Sequence, residues 1–193
     1  MSPPILSSPM YTLPLIQSLL SSPNHPSLDQ RIKLLSAKAH LLSTSLPGPT
    51  PDVKGSVSQP VVKDGSVTSV NAADTFTNSD WLELQQTRLE LGKIYAHEKG
   101  DMTLGEVEIG MVQSECKGFL NNFSKNQQHG GVEGGNPQER RKANVRRKAT
   151  EQVRELRIEA IQELVQINST LGKEARARTW RKLLDDLNEN VDR

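Results

Sequence analysis

The chain lacks most of what disulfide-stapled, membrane-embedded or metal-built proteins require. Its 193 residues include a single cysteine, Cys116. No intramolecular disulfide can form, which fits a reducing compartment. Aromatic residues make up only 4% of the chain, so large apolar anchors are scarce. No run approaches the ~18 apolar residues that a membrane-spanning helix needs, and no membrane association is expected. No positive residue precedes Arg31, so the charged start of a secretory signal is missing. The sequons at Asn122 and Asn168 are then expected to stay idle. A cytoplasmic or nuclear location is the reading that follows.

Catalytic and metal signatures are missing too. The four histidines, His25, His40, His97 and His129, stand far apart and form no metal-ligand spacing. Cys116 falls on an apolar stripe and reads as buried filler. Gly130, Gly131, Gly134 and Gly135 lack the Gly-Lys-Ser/Thr ending of a phosphate loop. No enzyme, no metal and no cofactor are expected.

Proline is abundant but confined: ten of eleven lie within the first 60 residues. Residues 1–26 read as a disordered Ser/Pro-rich tail. Within it, Leu13 to Leu20 is an apolar patch able to form a turn or two of helix, or to dock in a partner's groove. Residues 47–78 read as a linker, and 125–135 as a Gly-rich one.

Between these breaks, apolar residues recur at steps of three and four, the period of a helix with one buried face. A helix over 28–46 is predicted from Leu28, Ile32, Leu35, Ala39, Leu42 and Leu46, with Ser27 and Gln30 at capping-box spacing. It reads as an isolated amphipathic helix over 27–46, able also to join the helices that follow. Residues 79–124 read as a helical hairpin. Its first helix, over about 80–99, carries Trp81, Leu84, Leu91 and Tyr95, with Asp80 and Glu83 as an acidic capping pair. Its second carries Ile109, Val112, Cys116, Phe119 and Phe123, with Thr103 and Glu106 at capping-box spacing. Residues 136–193 form the C-terminal helices, with Asn136 as cap and Pro137 at the first helical position. Gly172 either turns the chain or sits inside one longer rod. The class is all-α, a helical hairpin plus long C-terminal helices in a bundle or coiled-coil-like arrangement.

Charge is uneven along the chain. Residues 81–136 carry five basic and eight acidic groups, whereas 137–193 carry fourteen basic and ten acidic. Six of the basic groups crowd into nine positions: Arg140, Arg141, Lys142, Arg146, Arg147 and Lys148, with Arg154 and Arg157 beyond. On a helical wheel they surround the axis, and Lys142 and Arg146 fall near the line of the later apolar stripe. Burying unpaired charge is costly, so this helix start is expected to project. From Ala149 onward the helix is one-sided. Leu156, Leu164, Ile167 and Leu171, with Trp180 and Leu184, are the expected interface for self-association or a helical protein partner.

Two readings follow. In the first, Arg140, Arg141, Lys142, Arg146, Arg147, Lys148 and Arg154 contact nucleic-acid phosphates, RNA before DNA, in a non-enzymatic oligomeric protein. No aromatic lies between Phe123 and Trp180, so no stacking platform supports base-specific reading. In the second, the chain is an adaptor or scaffold subunit. Its basic groups pair with Glu151 and Glu155, serve nuclear import through two Arg-Arg-Lys triplets, or meet an acidic protein.

Overall fold

Among the described residues six helices follow one another and there is no strand. The computed structural model describes residues 12–22, 26–46, 79–127 and 137–189, and only the backbone of 124–127, 137–140 and 142. The helices are α1 (Leu13–Leu20), α2 (Leu28–Ser45), α3 (Ser79–Lys93, continued by a π turn over Ile94–Glu98), α4 (Met102–Gln127), α5 (Pro137–Thr170) and α6 (Glu174–Glu189). The fold is all-α, built on a hairpin of α3 and α4 with the long α5 and the shorter α6 beside it. Each helix packs on the next one in sequence.

The caps explain where the helices begin and end. At α2, Ser27 and Gln30 make both bonds of the capping box, at 3.4 and 3.0 Å. One other expected cap is replaced. The first backbone of α4 is held by Asp101, whose Oδ1 accepts from the Leu104 N–H at 3.1 Å, so the helix starts before Thr103. At α3, the Glu83 carboxylate turns away from the helix start to accept from Gln17 at 2.8 Å and pair with Lys38 at 2.9 Å. Gly172 ends α5. Its φ of +70° is a left-handed conformation that glycine adopts without strain. The Gly172 N–H donates to Ser169 and the Lys173 N–H to Asn168, a Schellman closure. The chain turns here rather than continuing as one rod.

Two parts follow the second of the readings given above. The Leu13–Leu20 patch forms a helix: α1 places Ile16 completely out of solvent and packs on α2. The 28–46 helix joins the others rather than standing isolated. Ile32 and Leu35 of α2 form a small core with Leu91 and Ile94 of α3. Arg31 reaches Glu90 and Glu98, both at 3.1 Å, and the later Lys38 reaches the earlier Glu83, so α2 and α3 run antiparallel. The remaining tail residues and the 47–78 linker lie outside the described residues. The expected glycine break loses its first three positions to α4, and 128–135 also lie outside.

The main core joins Leu89 and Ala96 of α3, Ile109, Val112, Cys116 and Phe119 of α4, and Val153, Leu156, Ala160, Leu164 and Ile167 of α5. Trp81 stacks on Phe119 with centroids 5.1 Å apart, and Phe119 on Phe123 at 6.4 Å. Helices α3 and α4 approach closely because Gly92 and Gly105 carry no side chain there. A Cβ at Gly105 would stand 2.7 Å from the Ala96 Cβ and 2.8 Å from the Gly92 carbonyl oxygen. Glu106 fastens α4 to the start of α6, pairing with Lys173 at 2.6 Å and Arg176 at 3.0 Å. The hydrogen bond from Lys173 holds the Glu106 carboxyl below the usual range.

Candidate nucleic-acid interface

Along the described start of α5, Arg141, Ala143, Asn144, Val145, Arg147 and Lys148 are exposed, Arg146, Ala149 and Thr150 are half-buried, and Val153 is the first buried side chain among the described ones. From Pro137 to Val153 the helix rises about 24 Å. Its backbone bonds are made within the helix, so the polar residues of this stretch hold the helical state without a core beneath them. Thr150 adds a bond from its hydroxyl to the Arg146 carbonyl at 2.9 Å.

Arg141 and Lys148 are seven residues apart and share one side of the helix, about 10 Å from each other. Arg147 lies around the axis and shares a side with Arg154. Arg141, Arg147 and Lys148 form no ion pair with any described residue. Glu151 and Glu155, the acids at helical spacing, are exposed and do not bridge to Arg147 or Arg154. Arg146 is half-buried and engaged in a contact, and Arg154 is half-buried. The side chains of Arg140 and Lys142 lie outside the described ones.

In the helical body several cations face acids across helix pairs, while Lys33, Lys117 and Lys182 are exposed and isolated from one another. Arg31, Lys38, Lys173 and Arg176 each sit on a carboxylate of another helix. Lys93 lies against Glu159 and Glu163, and His97 against Glu163 at 2.8 Å. Those contacts show that α3 and α5 run in the same direction.

Arg157 does not belong with the basic run. It is only 7% exposed, and its Nε has no hydrogen-bond partner. Burial pushes its guanidinium pKa down, and the Cys116 thiol is the neighbouring group that acts against this. Gln85 is likewise buried, at 1% exposure, and its Oε1 is also unpartnered. No sequence signal marked these two, because glutamine and arginine at stripe edges look solvent-facing. Cys116 itself has no exposed surface, and burial pushes its thiol up to about 12. A thiolate is the reactive form. The native protein is therefore expected to resist maleimide at mildly alkaline pH and to label fully once denatured. Rapid labelling of the folded chain would contradict the burial.

The expected interface residues divide. Leu156, Leu164 and Ile167 are 6%, 1% and 1% exposed inside the main core. The α3–α4 hairpin of the same chain covers them, so they are not available to a second chain. Leu171 is 37% exposed, while Trp180 and Leu184 are half-buried and Trp180 packs against the core. Asn168 has no exposed surface, which removes that sequon from reach in the folded state. Among the described residues no group of three or more His, Cys, Asp or Glu could hold a metal, and no helix is long and apolar enough to cross a membrane.

Comparison of the chain with protein-family models, curated proteins and solved structures gave no match.

Proposed function

We propose that this is a non-enzymatic helical protein that contacts nucleic acid, RNA in the first place, through the basic start of α5. The observation that carries this reading is crowding. Cations of the body either meet carboxylates of neighbouring helices or stand singly, whereas Arg141, Arg147 and Lys148 stand exposed within eight positions of one helix, with no ion pair to a described residue. Cations on a projecting helix keep their hydration and their counterions until a polyanion replaces them. No aromatic accompanies them, so the contact is to phosphate rather than to bases.

The test is binding to generic single- and double-stranded RNA, with duplex DNA beside it, across a salt series. If three phosphates are contacted, a fourfold rise in salt should weaken binding roughly 40-fold on a duplex and roughly 20-fold on a single strand. Changing Arg140, Arg141, Lys142, Arg146, Arg147 and Lys148 to Gln should abolish it, since glutamine keeps the helix while removing the charge. The reading fails if the chain does not bind at low salt, or if the Gln variant binds as well as the parent.

A further inference from the structure

The charges of the basic arm at the start of α5 are sorted by angle around the helix axis. The buried Val153 lies about half a turn round from Asn144, so Asn144 marks the outermost line of the helix. Glu151 and Glu155 follow on that line, each within about 20° of it, and both are exposed. The cations flank it. Arg141 and Lys148 stand about 40–60° to one side, and Arg147 and Arg154 about 60–80° to the other. Arg141, Arg147 and Lys148 are exposed, and Arg154 is half-buried where the arm meets the body. The arm therefore carries two rows of positive charge with a polar and acidic line between them. Within each row the two cations are about 10 Å apart along the axis. The rows are about 120° apart, which on a helix roughly 10–12 Å across sets them about 10 Å from each other.

We infer that the arm lies in the opened major groove of an RNA stem, with one row of cations on each phosphate strand. This rests on the nucleic-acid reading above and names the form of nucleic acid. A single strand offers one line of phosphates. Laid along the outermost line, it would meet the carboxylates of Glu151 and Glu155. Laid along either row, it would leave the other row idle. A duplex groove has phosphates on two walls and base edges between them. Those edges present hydrogen-bond donors as well as acceptors, so a carboxylate is tolerated over the groove floor and not against a wall. Asn144 is short, which lets the helix settle between the walls. A groove about 12 Å wide admits a helix. The major groove of a regular A-form stem is too deep and narrow for that, so the site is a stem whose groove is widened by a bulge.

The test is fluorescence anisotropy of the full chain with three labelled RNAs of equal length at one salt concentration: a bulged stem, an unbroken stem and a single strand. The bulged stem should bind at least about tenfold tighter than the other two. Arg141→Gln with Lys148→Gln, and Arg147→Gln with Arg154→Gln, should each weaken that binding, and by similar factors. Asn144→Trp adds bulk to the outermost line without changing charge. It should weaken binding to the bulged stem at least about tenfold and leave single-strand binding in place, with the circular dichroism of the chain unchanged. A single strand or an unbroken stem bound as tightly as the bulged one, a row whose removal has no effect, or an indifferent Asn144→Trp would each overturn the inference and leave the nucleic-acid reading standing. Duplex DNA bound more tightly than the bulged stem would overturn the assignment to RNA. No binding to any of these probes at low salt would remove the nucleic-acid reading and this inference with it.

Discussion

Gly105→Leu is expected to lower stability by about 3 kcal/mol, the upper part of the range for forcing extra volume into a packed contact. Helix propensity alone would predict the opposite sign, because replacing an interior glycine typically gains about 1 kcal/mol. Space decides the outcome. The new Cβ would stand 2.8 Å from the Gly92 carbonyl oxygen, a backbone atom that cannot swing aside. The rest of the leucine would drive α3 and α4 apart and open the core around Ala96 and Ile109. Gly118→Ala is the matched control on the same helix, where the added methyl enters open space and stability should rise. Urea titration of the two variants tests the pair. Equal shifts of one sign would mean that α3 and α4 do not approach as closely as their glycines indicate.

Leu164→Ala should be nearly as damaging, with a loss of about 2–5 kcal/mol for a buried leucine whose site can only partly collapse. Its concentration dependence carries the information. A residue in an interface between chains gives a melting temperature that rises with protein concentration, by mass action. Leu164 is 1% exposed within one chain, so the loss should be the same in dilute and concentrated samples. A deficit that shrinks as concentration rises would return this leucine to an intermolecular surface.

Leu164 also shows where sequence patterning stops being informative. Its spacing with Leu156 and Ile167 establishes that one face of α5 must be buried, but periodicity carries no sign of which chain buries it. The capping box at Ser27 and Gln30 was legible because both bonds are local. The hairpin was legible from two stripes separated by a short turn. The basic arm was legible because charge on all sides of a helix is incompatible with a core. Two features were not. Helix α3 is buried on two faces, and beside Leu89 the main core meets small or polar residues, Gly92 and Ala96 with the buried Gln85, so the second stripe is not marked by large apolar groups. The Leu13–Leu20 patch was legible as a turn or two of helix, but its Ser/Pro-rich surroundings hide that it packs on α2 with Ile16 fully covered.

Because each helix packs on its successor, the way the chain is threaded sets the cost of bringing its parts together. The main core draws on α3, α4, α5 and Trp180 of α6. The α1–α2 pair contributes nothing to it and is held by contacts such as Arg31–Glu98 and Gln17–Glu83, which span 67 and 66 residues of chain. The body makes closures of the same length: Lys93–Glu159 and His97–Glu163 each span 66 residues, and Arg176–Glu106 spans 70. Loop-closure entropy grows only logarithmically with length, so docking the α1–α2 pair costs about as much chain entropy as joining the core helices themselves.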